Sequence, residues 1–169
     1  MKLALFDNDG KLTETKSGND FGVDPYDYKA RVDSMSYLES LKVQGYKHFF
    51  GISNQGGVHS GFKSFQDCVL EQIYKLSIFG FYLEGIYFCP DAGNTCYFVN
   101  GEGALIKNVG VGFRKPDPNM LKLAIIEHSN KVYINECLFH GDLDTDKLAA
   151  ESLNMPYRDV QASFKQWLQ

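Results

Sequence analysis

Short apolar runs recur along the chain, and polar residues close each one. KLALFD at 2–7, KHFFGIS at 47–53, GIYFC at 85–89 and ECLFHGD at 136–142 have the length and continuity of strands buried on both faces. The segments between them show helical spacing. In YKARVDSMSYLESLKVQGY, residues Val32, Met35, Leu38, Leu41 and Val43 recur at helical intervals, and Gly45 suits the helix end. SFQDCVLEQIYKLSIFG at 64–80 reads as a second helix. DPNMLKLAIIEHSN at 117–130 reads as a third, with Asp117 as N-cap and Pro118 at the first helical position. DTDKLAAESLN at 144–154 reads as a fourth. Strands alternating with helices predict an α/β fold with a mostly parallel central sheet. In YFVNGEGALIKNVGVGF, the turn signals Asn100-Gly101 and Glu102-Gly103 lie between apolar flanks, which predicts a β-hairpin near 96–113. No repeat, low-complexity tract or linker divides the chain, so a single domain over 1–169 is expected.

Composition narrows the picture. The 169 residues are 44% hydrophobic and 14% aromatic, enough to build the core of one domain. A net charge of −4 and a pI near 5.5 carry no global basic footprint of a nucleic-acid binder. No apolar run is long enough to span a bilayer, and the N-terminal LALF is too short for a signal peptide and ends in acid. The four cysteines are too scattered for a disulfide framework. A cytoplasmic setting, with no membrane and no partner protein, is the expectation.

In sheets of this class, ligands bind at the carboxyl ends of the strands. Polar residues gather at those ends: Asp7-Asn8-Asp9-Gly10 after the first run, Ser53-Asn54-Gln55 after the second, Cys89-Pro90-Asp91 after the third and Asp142 after the last. Arg114-Lys115 precedes the third helix. Two aspartates one residue apart would point the same way in an extended strand and repel. A turn at Gly10 separates their tasks. An aspartate can attack phosphorus, while a second carboxyl protonates the departing alkoxide and later deprotonates water. Lys115 and a divalent metal offset the charge of a phosphoryl dianion, Asp142 offers an oxygen ligand suited to Mg²⁺, and Ser53 offers a hydroxyl donor. Taken singly, these features read as a turn, a polar loop, a solvated lysine and a helix cap. Asp-Asn-Asp-Gly lacks the further ligands and terminal Glu of a calcium loop. In order, each beside a predicted element, they point to phosphoryl transfer. The chain has no Walker A pattern, so no kinase activity is expected.

From Leu3 to about Asn154 the chain resembles the haloacid dehalogenase-like (HAD) phosphohydrolases in their small or capless form. The first motif is matched by Asp7-Asn8-Asp9-Gly10, the second by Ser53 in GISNQGG, the third by Lys115 in FRKPDPNM and the fourth by GDLDTDKLAA with Asp142 and Asp146. The resemblance implies a Rossmann-like three-layer sandwich with no large cap domain. It implies Asp7 as nucleophile, Asp9 as general acid/base, and Ser53 and Lys115 as phosphate binders; Asn54 and Arg114 beside them are further candidate phosphate binders, Arg114 as a bidentate clamp in a small-metabolite enzyme. It implies Mg²⁺ held by the Asp7 side chain, the Asp9 backbone carbonyl and Asp142, with Asp146 supporting the metal or orienting Lys115.

Within the superfamily two similarities compete. Thr13, Ser17, Gly18, Phe21, Pro25, Asp27 and Tyr28 in TETKSGNDFGVDPYDY resemble the 3′-phosphatase domain of polynucleotide kinase/phosphatases. LEGIYFCPD and RKPDPNMLKLA resemble histidinol-phosphate and heptose-bisphosphate phosphatases, which carry a zinc loop. Here Asp91 stands where that loop has His, and Gly112-Phe113 stand where it has a Cys-containing pair. Cys89 and Cys96 alone do not make a tetrahedral site, so no Zn²⁺ is expected. The leading expectation is an Mg²⁺-dependent phosphomonoesterase working through a phospho-Asp7 intermediate and removing 3′-phosphates from nucleic-acid ends, with Phe21, Tyr26 and Tyr28 stacking on a base. The alternative is a small-metabolite phosphatase acting on histidinol phosphate, a heptose bisphosphate or another sugar phosphate; the low basic content favours it. A third reading, a phosphate-binding module without turnover, rests on Lys11, where the family carries Thr.

Overall fold

The computed structural model describes residues 2–128 and 133–160, together with Phe164. In chain order the strands are β1 (Lys2–Asp7), β2 (Thr13–Thr15), β3 (Tyr28–Ala30), β4 (Tyr46–Asn54), β5 (Gly85–Cys89), β6 (Thr95–Asn100), β7 (Leu105–Val109), β8 (Cys137–Gly141) and β9 (Tyr157–Asp159). The helices are α1 (Ser34–Val43), α2 (Gly56–His59), α3 (Phe65–Ile78), α4 (Asn119–His128) and α5 (Asp144–Glu151). The main sheet has the order β7-β6-β5-β4-β1-β8-β9, and β2 pairs with β3 separately. Pairs β1–β4, β1–β8, β4–β5 and β8–β9 are parallel, while β5–β6 and β6–β7 are antiparallel.

The apolar continuity of KLALF has a direct cause. Successive side chains of β1 point to opposite faces, and both faces are covered. Leu3 and Leu5 join Phe50, Ile52 and Phe139 beneath Met120, Leu121 and Ala124 of α4 and Ala149 and Ala150 of α5. Ala4 and Phe6 join Phe49, Ile86 and Phe88 beneath Tyr37, Leu38 and Leu41 of α1 and Cys68 and Leu76 of α3. The result is a three-layer, Rossmann-like sandwich with a mostly parallel sheet, as expected. β1 lies at its centre, so the residues that follow Asp7 emerge between the ends of β4 and β8.

The boundaries differ from expectation in three places. The first helical segment splits: Tyr28–Ala30 pairs antiparallel with Thr13–Thr15, and the helix starts only at Ser34. Leu38 and Leu41 fill the core as expected and Tyr37 joins them, but Val32 and Val43, expected on the same stripe, are 73% and 83% exposed. The third helix begins at Asn119 rather than Pro118, and its expected end at Ser129-Asn130 lies outside the described residues. β9 carries too little apolar pattern to be seen in advance; it is placed by its pairing with β8. The hairpin of β6 and β7 turns through 101–104, where the Asn100 side-chain oxygen accepts the N–H groups of Glu102 and Ala104. Among the described residues no helix is long and apolar enough to cross a membrane.

Candidate active site

Beyond β1 the chain makes a tight turn. The Asn8 carbonyl accepts the N–H groups of Lys11, Leu12 and Thr13, and Gly10 takes a φ of 74°, which favours glycine. This turn leaves Asp7 nearly buried at the strand end and Asp9 half-buried beyond it. Ser53, Asn54 and Gln55 arrive from the end of β4, Asp142 from the end of β8, Asp146 from α5 and Lys115 from the loop before α4.

Lys115 is the electrostatic centre. Its Nζ donates to Asp7 Oδ1 at 2.9 Å and to Asp146 Oδ1 at 2.5 Å. The other Asp146 oxygen accepts the N–H groups of Asp142 and Leu143 at 3.3 and 3.2 Å. Burial raises the Asp7 carboxyl to about 7; Lys115 opposes that rise and the Asp146 charge adds to it. Burial disfavours the Lys115 ammonium, but Asp7 and Asp146 outweigh it and hold the lysine protonated. Asp7, Asp142 and Asp146 offer oxygens within 4.8 Å of one another, an all-carboxylate set that fits a hard divalent cation such as Mg²⁺.

Asp9 sits in a ring that the sequence reading missed. Its Oδ1 meets the Nζ of Lys75 from α3, and the same ammonium bonds Glu71 Oε1 one helical turn earlier. Glu71 Oε2 binds Lys63 Nζ at 2.7 Å, Lys63 donates to Gln55 Oε1 at 3.0 Å, and Gln55 Nε2 returns to Asp9 Oδ2 at 2.7 Å. Burial would raise the Asp9 carboxyl, but Lys75, the Ser53 hydroxyl and Lys63 together hold it below the usual carboxylate range. One signal in the sequence pointed here: Glu71 and Lys75 fall on the same helical face as Cys68 and Leu76. A charged pair on an apolar stripe is a buried pair, whereas the same pair on the outer face is only a solvated i,i+4 contact.

The expected site residues are therefore brought together, with changes of task. Ser53 is buried, and its hydroxyl donates to Asp9 Oδ2 at 2.8 Å rather than standing free for phosphate. Asn54, expected on the phosphate, instead clasps the Lys115 backbone: its Oδ1 accepts the Lys115 N–H at 3.0 Å and its Nδ2 donates to the Lys115 carbonyl at 3.1 Å. Arg114 lines the cavity and packs over Gly56, where a Cβ would lie 2.9 Å from the guanidinium. Lys11 is nearly buried, with Nζ 2.6 Å from Asp142 Oδ2. Where a zinc loop was considered, Asp91 closes the chain on itself. It accepts the N–H groups of Gly93, Asn94 and Thr95 and the Thr95 hydroxyl, while burial pushes the Cys89 thiol up to about 11.

The 16–27 loop explains the Ser-Gly…Pro-x-Asp-Tyr pattern as architecture. Asp27 accepts the Ser17 N–H and hydroxyl at 2.8 and 2.5 Å and the Val23 N–H at 3.0 Å. Of the three aromatics expected to stack on a base, Tyr26 packs edge-on against Tyr74, and Tyr28 presents its ring to the Lys75 ammonium 4.0 Å away. Phe21 stays 82% exposed on this braced loop. It borders a cavity of about 1150 Å³ that also contains Asp7, Asp9, Arg114, Lys115 and Phe62.

Known proteins resemble this chain in sequence and fold. The sequence model described as "Polynucleotide kinase 3 phosphatase" matches residues 2–166. The D-glycero-beta-D-manno-heptose-1,7-bisphosphate 7-phosphatase of Helicobacter pylori strain 26695 is 28% identical over 155 residues, covering 88% of this chain and 76% of that protein. The structure of D,D-heptose 1.7-bisphosphate phosphatase from B. bronchiseptica, complexed with magnesium and phosphate, superposes with a TM-score of 0.72 at 19% identity, covering 99% of this chain and 85% of that one. A protein of Mesorhizobium loti described as a HAD-like phosphatase superposes with a TM-score of 0.69 at 17% identity, covering 92% and 69%.

Proposed function

We propose, from the premise that the chain belongs to the polynucleotide kinase 3 phosphatase family and is a phosphatase of the HAD superfamily, that its substrate is a small sugar phosphate. This reverses the order of the two readings drawn from the sequence. The observation that carries it is the lining of the cavity around Asp7. Glu14, Asp20 and Phe21 share that lining with Lys63, Arg114 and Lys115. Carboxylates on the lining repel a polyanionic strand and accept hydrogen bonds from hydroxyl groups. An exposed Phe face suits the apolar side of a sugar ring. The heptose-bisphosphate relative of Helicobacter pylori supports the same class. The second reading, a nucleic-acid 3′ end, rests on the family match.

The chemistry follows from the carboxylates. Asp7 attacks phosphorus: a bond forms from its Oδ to phosphorus as the ester P–O bond breaks. Asp9 gives a proton to the departing alkoxide and then takes one from the water that cleaves the aspartyl phosphate. The ring around Asp9 favours its ionised form, which is the base needed in the second half. Lys115 balances charge beside Asp7. Asp7 and Asp142, with the Asp9 carbonyl, would hold Mg²⁺, and Asp146 would orient Lys115. When bound, the ion supplies positive charge that keeps Asp7 ionised and offsets the phosphoryl oxygens.

The test is phosphate release with Mg²⁺ from a heptose 1,7-bisphosphate, glucose 6-phosphate, histidinol phosphate and a 3′-phosphorylated oligonucleotide, with Asp7→Asn as control. Preferential release from the sugar esters is the expected result. Preferential release from the oligonucleotide would overturn the sugar assignment in favour of the second reading.

A further inference from the structure

Three carboxylates converge where a divalent cation fits, and they are not equally available. Both oxygens of Asp146 are committed, one to Lys115 and one to backbone N–H groups. Asp7 shares Lys115. Asp142 is the member that opens to solvent, with a side chain 26% exposed, and its Oδ2 is held by the Lys11 ammonium at 2.6 Å. The Lys11 side chain is itself only 7% exposed, so this pair lacks the screening that makes surface ion pairs weak. Lys11 reaches Asp142 because the Asn8 carbonyl gathers the N–H groups of Lys11, Leu12 and Thr13, fixing the turn. The cavity lining includes Asp9 and Gly10 but not Lys11, so the ammonium is directed at Asp142 and not at the substrate space.

We propose that Lys11 is a resident monocation at Asp142 that opposes Mg²⁺ and sets the metal concentration at which the site fills. A divalent ion entering the cluster meets a carboxylate whose charge is already balanced, and it sits beside a like charge held in place by the turn. The inference rests on the phosphatase reading only for its consequence, because metal binding is measured without substrate.

The experiment is a calorimetric Mg²⁺ titration of the metal-stripped full chain, comparing wild type with Lys11→Met, Lys11→Thr and Lys11→Arg. Lys11→Met keeps most of the apolar stem, and Lys11→Thr is a smaller neutral replacement that preserves the test should the first misfold. Removing a group that supports a metal ligand costs about 10–100-fold in metal affinity, and removing one that competes with the metal is expected to gain on the same scale. Both neutral variants are expected to bind Mg²⁺ about 10–100-fold more tightly than wild type, and Lys11→Arg no more tightly. Equal or weaker binding by the neutral variants, or equal tightening by Lys11→Arg, would overturn the proposal. Phosphate release is scored separately. Tightening without release from any ester would remove the substrate reading and leave the Lys11 assignment standing; release with unchanged Mg²⁺ affinity would do the reverse.

Discussion

Two buried polar clusters flank β1, and they are built on opposite plans. On one side Tyr37 of α1 donates its hydroxyl to His140 Nε2 at 2.7 Å, His140 Nδ1 donates to the Leu5 carbonyl at 3.0 Å, and Arg158 of β9 donates to the Tyr37 oxygen at 2.5 Å. The imidazole at the centre is neutral: burial drives its pKa down to about 3. It stacks on Phe6 with ring centroids 4.3 Å apart. On the other side the Asp9–Lys75–Glu71–Lys63–Gln55 ring joins four charged side chains through one amide, and it opens through Asp9 onto the cavity. The first cluster joins helix to sheet with each polar atom matched, which is how buried polar groups serve stability. The second desolvates four charges, a costly arrangement for stability alone. On the proposed mechanism its return is a general acid/base held in one orientation beside the nucleophile. The difference separates scaffold from site within one sheet.

Substitutions break this comparison in graded ways. Asp7→Asn is expected to lower turnover by at least about 10³-fold in a phosphate-release assay while the thermal midpoint holds, since burial already disfavours its charge. Lys75→Met leaves Asp9 and Glu71 without their ammonium and is expected to cost about 3–5 kcal/mol in denaturant unfolding. Adding Glu71→Leu should recover part of that stability and none of the activity; recovery of both would show that the ring is scaffold after all. Tyr37→Phe removes the donor to His140 and is expected to cost about 1–3 kcal/mol with kcat unchanged.

The neutral imidazole of the first cluster also predicts a pH dependence. His140 has a pKa near 3 when folded and 6.5 as its ordinary value. Between those limits the unfolded chain binds a proton that the folded chain does not, so stability rises with pH. Its contribution is complete above pH 6.5 and is lost as pH falls toward 3, with a limiting slope of about 1.4 kcal/mol per pH unit from this residue. A urea series over that window, with His140→Asn as reference, reads the difference. The smallest effect belongs to Phe21→Ala. It should change stability by no more than about 0.5 kcal/mol, because the ring is exposed, and appear instead as a higher KM for sugar phosphates.

The strands were legible because β1, β4, β5 and β8 are covered on both faces, which writes continuous apolar runs into the sequence. The site was legible for a related reason: parallel strands deliver their closing residues to one rim, so Asp7, Ser53 and Asp142 could be assembled from order alone, while Lys115, in the loop before α4, was added as the cation a phosphoryl dianion needs. What stayed hidden depends on side chains crossing between elements. Lys75 reads as an ordinary helical lysine until α3 is laid on the sheet. Asn54 reads as a phosphate donor until the Lys115 backbone is found beside it. Tyr28–Ala30 carries helical spacing, and only its partner at Thr13–Thr15 draws it into a strand. β9 has three residues and no hydrophobic signature, so its place comes entirely from β8.

On the proposed mechanism the carboxylates at the end of β1 divide the work, with Asp7 carrying the phosphoryl group. The most direct measurement is chemical trapping. Protein turning over a sugar phosphate with Mg²⁺ is quenched, reduced with borohydride and mapped by peptide mass spectrometry. The account predicts conversion of the Asp7 side chain to its reduced alcohol and none at Asp9. Phosphate release without a trapped product at position 7, or with one at Asp9 or Asp142, would contradict it.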